Sequence, residues 1–210
     1  MHACYTHIMH NEIYILDLLG TFTFAFYGAY VGMQKKFDIF GIFVLALLTA
    51  VGGGTMRELF FNSFPGYFND FYYFGFILLG IICSIILYPK FSKINKYALV
   101  IDAVGLVTFA FIGVSRAYDA GLGAFGIILI GTISAVGGGL LRDISISETP
   151  QIFYKDLYAT PAIILGILYI IFRNFTNDQS LIWVVILIAL ALRLCAIYFK
   201  INLWGPWRRN

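Results

Sequence analysis

Long apolar runs separated by short polar stretches dominate the chain. Each run is close to the roughly 20 residues that an α-helix needs to cross a bilayer. The pattern predicts seven membrane-spanning segments, over 13–33, 39–60, 71–88, 98–117, 124–145, 157–173 and 181–200. The stretches between them are rich in lysine, proline, glycine and asparagine, which are typical of turns. We therefore predict an all-α integral membrane protein.

One nine-residue motif occurs twice in the sequence. Residues 50–58 read Ala-Val-Gly-Gly-Gly-Thr-Met-Arg-Glu, and residues 135–143, at an offset of 85, read Ala-Val-Gly-Gly-Gly-Leu-Leu-Arg-Asp. The same offset aligns Asp17 with Asp102. A fixed offset kept over many positions indicates an internal duplication.

The duplication divides the predicted segments into two groups of three. Repeat 1 covers 13–88, repeat 2 covers 98–173, and the seventh segment, 181–200, has no partner. Because three crossings end on the opposite side of the membrane, the second repeat is inverted relative to the first. Inverted repeats place a functional site near the midplane, between interrupted helices.

Composition supports a single membrane domain over 1–210. Hydrophobic residues make up 60% of the chain and charged residues 12%, with a mean hydropathy of +0.86, whereas soluble domains are about a quarter charged. The net charge of +3 is not gathered into a basic stripe, so we expect no nucleic-acid partner. We infer no soluble partner. The three cysteines and the N-terminal histidines lack metal-ligand spacing, and hydrolase and metalloprotease motifs are absent. We predict neither an enzyme nor a metal site.

Lysine and arginine are distributed unequally between the two sides of the membrane. One side carries Lys35, Lys36, Lys90, Lys93, Lys96, Lys155, Lys200, Arg208 and Arg209. Since positive charges collect in cytoplasmic loops, this side should be cytoplasmic, with the N-terminus outside and the C-terminus inside a cell (plasma) membrane. Trp204 and Trp207 are typical of an interfacial anchor.

Two glycine triplets are the most unusual feature of the apolar segments. They are Gly52, Gly53 and Gly54 in segment two, and Gly137, Gly138 and Gly139 in segment five. Small residues allow helices to pack closely in lipid, but three in a row cover every side of a helix, which favours broken helices instead. Unwound carbonyls at membrane depth would suit a weakly held monovalent cation. Thr49 and Ser134 add hydroxyls, or bond back to their own helices.

An acid and an arginine should face each other at each end of the predicted path. Asp17 and Arg57 share one depth, and Asp102 and Arg142 share the equivalent depth on the other side, with Glu58 and Asp143 following the arginines. Ionisable groups inside a membrane indicate function, so we interpret these as gating ion pairs. The alternative is structural, since a carboxylate also stabilises a helix N-terminus. Arg193 in the seventh segment either extends to the interface or pairs with Asp102.

These motifs resemble the bacterial and archaeal members of the trimeric intracellular cation (TRIC) channel family, which also carries the label of a glycine-transporter domain. The resemblance rests on Asp102-Ala103-Val104-Gly105, on the Val136 to Asp143 string and on their echoes in repeat 1. It implies a homotrimer with a potassium-permeable pore in each protomer, lined by the glycine-rich kinks of helices two and five. Glu58 departs from the aspartate expected in repeat 1, and the lysine-glutamate-valine motif of animal members is absent.

Two functions remain open at this point. The first is a passive channel for monovalent cations, and the second is a secondary transporter of a small solute such as glycine, because broken helices in inverted repeats serve both. Either needs no cofactor beyond the permeant potassium or sodium ion, and membrane lipid is the expected partner besides a second and third copy of the chain.

Overall fold

The computed structural model describes residues 2–91, 95–154, 157–175 and 180–201. Within these residues the chain forms seven α-helices and no strand, which confirms the predicted all-α membrane fold. The helices are α1 (His2–Gln34), α2 (Ile39–Phe61), α3 (Phe71–Phe91), α4 (Asn95–Asp119), α5 (Ala124–Ser145), α6 (Thr160–Phe175) and α7 (Ser180–Phe199). Six are long and apolar enough to cross a membrane, and α6 is shorter. The predicted anchor at Trp204 and Trp207 lies outside the described residues.

Helix α6 begins three residues later than predicted. Leu157 has a left-handed backbone, with φ of 45°, which an L-residue does not adopt inside a right-handed helix. Pro161 then falls in the first turn of α6, where a missing backbone N–H costs little. The resulting helix has 16 residues.

Helices α1 and α4 form the centre of the bundle. The most apolar stretch of each is 72% and 78% buried, against 28% in α3 and 33% in α7. Phe24 of α1 and Phe109 of α4 occupy equivalent places in the two repeats, and their ring centroids are 5.1 Å apart. Gly20 lies against Phe109, and Gly105 against Phe24. Each phenylalanine thus fills the space that a glycine of the other helix leaves, along the axis that relates the two repeats.

Glycines also seat α2 against α1 and α5 against α4. A Cβ atom at Gly28 would lie 2.9 Å from the Ala46 Cα atom, and one at Gly113 would lie 2.9 Å from the Gly131 Cα atom. These distances are shorter than real Cβ contacts, so only glycine fits. Close backbone approach between small residues is how helices associate in lipid, and here it brings the two triplet-bearing helices into the core.

Candidate functional site

Helices α2 and α5 remain α-helical through both glycine triplets. All six of these glycines are buried, and none has a positive φ. The predicted break of helices two and five is therefore wrong in this structure. The physical reason is the solvent: a glycine costs about 1 kcal/mol in a helix, whereas each backbone group left unpaired in lipid costs several kcal/mol.

The triplets form the crossing point of α2 and α5. A Cβ atom at Gly53 would overlap the carbonyl oxygen of Ser134, and one at Gly138 would overlap the carbonyl oxygen of Thr49. At the neighbouring positions, a Cβ on Gly52 would lie 3.1 Å from the Gly138 Cα atom. The crossing has no room for a methyl group at these positions, so packing of small residues, the less favoured interpretation, accounts for the first two glycines of each triplet.

The two hydroxyls beside the crossing behave differently. The Thr49 hydroxyl donates to the Leu45 carbonyl of its own helix at 2.6 Å, as the back-bonding alternative expected. The Ser134 hydroxyl is buried and has no hydrogen-bond partner within the described part of the chain. Thr49 and Ser134 are aligned in the two repeats, but at the centre of the bundle only the Thr49 hydroxyl is hydrogen-bonded among the described residues.

A first charge cluster lies at one end of the bundle and comprises Asp17, Arg57, Glu58 and Arg116. The Arg57 Nη2 atom is 3.9 Å from Asp17 Oδ2, and its Nε donates to Glu58 Oε1 at 2.9 Å. Arg116 of α4 reaches Glu58 Oε2 at 2.7 Å. Tyr73 of α3 makes the shortest contact to Asp17, donating its hydroxyl to Oδ2 at 2.9 Å.

A second charge cluster lies at the other end of the bundle and comprises Asp102, Arg142, Asp143 and Arg193. The Arg142 Nη1 atom donates to Asp102 Oδ1 at 3.2 Å, and Nε donates to Asp143 Oδ1 at 2.9 Å. Asp143 Oδ2 accepts the backbone N–H of Gln151 at 2.8 Å. Both predicted facing pairs of acid and arginine are thus brought together, one at each end.

Arg193 is held in the core by an aromatic ring. Its side chain is 1% exposed, so the predicted extension to the interface is wrong. The guanidinium carbon lies 4.7 Å from the centroid of the Tyr158 ring, a cation–π distance. Its positive charge also favours the Asp102 carboxylate, which lies nearby.

The two clusters have the same charge balance but different access to solvent. Each holds two carboxylates and two arginines. In each, one arginine comes from outside the repeat that supplies the other three groups: Arg116 from α4 and Arg193 from α7. The Asp17 side chain is 17% exposed and that of Arg116 46%, whereas those of Asp102 and Arg142 are 0% exposed. The first cluster is partly open and the second is closed.

Two openings adjoin the first cluster. A cavity of about 10 Å³, close to the volume of one water, is lined by Asp17, Gly54, Arg57 and Tyr73 among others. A wider depression of about 320 Å³ lies beside Glu58. Tyr67 also lines the smaller cavity, and its hydroxyl lies 2.6 Å from Thr55 Oγ1. Burial raises the pKa of the Tyr67 phenol.

Sequence reasoning missed the tyrosines and Arg116. Tyr73 and Tyr158 are separated by the repeat offset of 85 residues, so the aligned repeats carried the signal that would have found them. The residue of repeat 1 that aligns with Arg116 is not an arginine, and nothing in the repeat pattern links Arg116 to Glu58. Its position at the end of α4, on the side where α2 also ends, is the only hint that the sequence contains.

Comparison with known proteins agrees with this architecture. The model of a family described as glycine transporter matches residues 14–89 and again 99–174. These two ranges are offset by 85 residues, the same offset as the repeated nine-residue motif. The two matches cover more than half of the chain.

Several relatives match nearly the whole chain. The UPF0126 inner membrane protein YadS of Escherichia coli K12 is 34% identical over 197 residues, which cover 91% of this chain and 94% of YadS. A structure solved to explain conductance through TRIC cation channels is 32% identical and has a TM-score of 0.83, covering 93% of this chain and 98% of its own. The TRIC trimeric intracellular cation channel orthologue from Rhodobacter sphaeroides is 29% identical with a TM-score of 0.71, covering 90% and 94%. The chain is a multi-pass membrane protein that belongs to the two-repeat family of prokaryotic TRIC channels.

Proposed function

We propose that the protein is a passive channel for monovalent cations, with potassium or sodium as the permeant ion. The observation that carries the proposal is the shared fold with TRIC cation channels over 93% of the chain at a TM-score of 0.83. The charge distribution is consistent with it, because ionisable groups are buried at both ends of one helix pair, α2 and α5, and ionisable residues at membrane depth mark ion pathways.

The proposed path runs along α2 and α5 from the first charge cluster to the second. The crossing between them is too tight for a methyl group, so the conducting conformation requires the two helices to separate or unwind there. Separation would uncover the carbonyl oxygens of Thr49 and Ser134, which now lie against Gly138 and Gly53, and unwinding would release them from the hydrogen bonds of their own helices. Carbonyl oxygens replace the hydration shell of a monovalent cation, and the six triplet glycines let them approach the ion.

Arg57 and Arg142 act in this proposal as positive gates and not as selectors. Each is held by a carboxylate of its own repeat, so each guanidinium is fixed at one end of the path. A buried positive charge there opposes cation entry until its ion pair rearranges. The role needs no cofactor.

The proposed setting is a homotrimer in the cell membrane, with one path in each protomer and lipid around the outer helices. The trimer follows the Rhodobacter sphaeroides orthologue, which is described as trimeric. Lys35 and Glu148, from the loops after α1 and α5, pair at 2.5 Å, so both loops lie at one end. The lysine-rich loops predict that this end, and the second charge cluster, face the cytoplasm.

Recording from the purified protein in a planar bilayer tests the function. With potassium on one side and sodium on the other, we expect discrete unitary currents, and the reversal potential gives the permeability ratio. Arg142→Lys, which keeps the charge but loses the planar fork, should alter the conductance or the open probability. Absence of unitary currents from protein that elutes as a single folded species would refute the channel.

A transporter of a small solute is the second candidate, favoured by the family description as a glycine transporter. A transporter saturates with its substrate and couples to an ion gradient, whereas a channel passes ions down their gradient at rates that no alternating cycle reaches. Uptake of radiolabelled glycine into proteoliposomes, with and without a sodium or proton gradient, separates the two. Saturable, gradient-driven uptake in a preparation without unitary currents would replace the channel by the transporter.

A further inference from the structure

Tyr73 and Tyr158 occupy equivalent places in the two repeats but are bonded differently. Tyr73 donates its hydroxyl to Asp17 Oδ2 at 2.9 Å. The equivalent atoms in repeat 2 are the Tyr158 hydroxyl and Asp102 Oδ2. Both are buried, and neither has a hydrogen-bond partner among the described residues. Leaving two such groups buried and unpaired costs about 1–3 kcal/mol each, so some other contact holds them apart.

Two contacts hold Tyr158 in its place. The Arg193 guanidinium covers its ring, with 4.7 Å between the guanidinium carbon and the ring centroid. Its hydroxyl oxygen lies against the backbone of Gly139, where a Cβ atom would overlap it. At the equivalent Gly54, and apart from the adjoining backbone of α2, the nearest heavy atom of the described residues to a Cβ position is Arg57 Nη2, at 3.9 Å. Tyr158 therefore fills the space beside its triplet that stays open beside the first one.

Helix α7 is the origin of this difference. It is the one helix without a partner in the duplication, and it places Arg193 on Tyr158 in repeat 2. In repeat 1 the ring of Tyr73 instead packs edge-on against Tyr14 and Tyr67, with centroids 6.1 Å and 6.4 Å away. The arginine that α4 adds to the first cluster, Arg116, contacts Glu58.

We propose that Arg193 and Tyr158 form a latch that closes the second end of the path, resting on the proposed channel function. In the closed state, Arg193 holds the Tyr158 hydroxyl on Gly139. In the open state, the hydroxyl moves to Asp102 Oδ2 and makes the bond that Tyr73 already makes to Asp17. The first end of the path is thus seen in its unlatched arrangement and the second end in its latched one.

Opposite shifts of open probability from two substitutions at one contact test the latch. Arg193→Gln removes the cation from the ring and should raise the ratio of open to closed time about 30-fold, the scale of one desolvated cation–π contact. Tyr158→Phe keeps the ring under Arg193 but removes the bond to Asp102, so it should lower the ratio by a similar factor. Arg193→Lys keeps the charge and loses the planar stacking, and should fall between wild type and Arg193→Gln. Tyr72→Phe, at an exposed tyrosine, is the matched control.

Recordings in symmetric potassium chloride, with each variant compared by thermal unfolding, make the outcomes decisive. Opposite shifts in open probability, with unitary conductance unchanged, support the latch. If the wild-type protein conducts but the variants shift the open probability in the same direction, or not at all, the latch is overturned and the channel function stands. If Arg193→Gln fails to fold, the graded comparison of Arg193→Lys with Tyr158→Phe decides the question. A silent wild-type protein would instead refute the channel itself.

Discussion

Alanine at Gly53 and at Gly54 should shift stability in opposite directions, although the two positions are adjacent. Both substitutions remove a helix-interior glycine, which favours the folded state by about 1 kcal/mol. At Gly54, apart from the adjoining backbone of α2, the added methyl would come no closer than 3.9 Å to an atom of the described residues, so this gain remains. At Gly53 the methyl would overlap the Ser134 carbonyl oxygen of α5.

The size of the Gly53 effect follows from what the methyl meets. Overpacking a core costs about 1–3 kcal/mol, and the upper value applies because a backbone carbonyl cannot rotate away as a side chain can. Subtracting the helix gain leaves a net loss of about 2 kcal/mol. For a chain of this size, each 1 kcal/mol moves the melting temperature by about 2–4 °C. Gly53→Ala should melt about 4–8 °C lower than wild type, and Gly54→Ala about 2–4 °C higher.

Thermal unfolding in detergent, followed by circular dichroism, measures both shifts. Gly138→Ala provides an internal check, because its methyl would overlap the Thr49 carbonyl oxygen at the same crossing and should match Gly53→Ala. The double variant should lose less than the sum of the two, since one separation of α2 from α5 relieves both overlaps. Equal shifts for Gly53→Ala and Gly54→Ala would show that the crossing is not the tight contact described.

Three further predictions concern stability and use the same melting assay. Arg142→Ala leaves buried carboxylates without their cation and should lower the free energy of unfolding by about 3–5 kcal/mol. Arg116→Ala should lower it by at most about 1 kcal/mol, because Arg116 is half exposed. Similar losses in the two variants would refute the contrast between the clusters. Asn62 ends α2 in the left-handed region, with φ of 49°, so Asn62→Val should cost about 1–2 kcal/mol and Asn62→Gly little, and a tolerated valine would contradict this geometry. Thr49→Val removes the hydrogen bond to Leu45 and should lower the free energy of unfolding by about 1 kcal/mol. Ser134→Ala should leave the melting temperature unchanged, and a lowered value would show that the Ser134 hydroxyl has a partner.

The sequence alone determined the helices, the duplication and the placing of the charged groups. Spanning segments can be read locally because a lipid environment requires each to be apolar and about 20 residues long. The offset of 85 residues aligned Asp17 with Asp102 and Arg57 with Arg142, and equal depth in the membrane then brought each acid near an arginine. These inferences hold because they depend on length, polarity and register, and not on how one helix surface fits another.

Only the tertiary structure decided what the glycines do and how the two ends differ. Three glycines in a row read as a break when helix propensity is considered by itself, but their partner is a second triplet on α5, and contact between the two restores the packing that propensity loses. The difference between the ends arises from Arg116, whose aligned residue in repeat 1 is Val31, and from Arg193, which lies outside both repeats. Their partners, Glu58 and Tyr158, are distant in sequence, so only the fold brings them together.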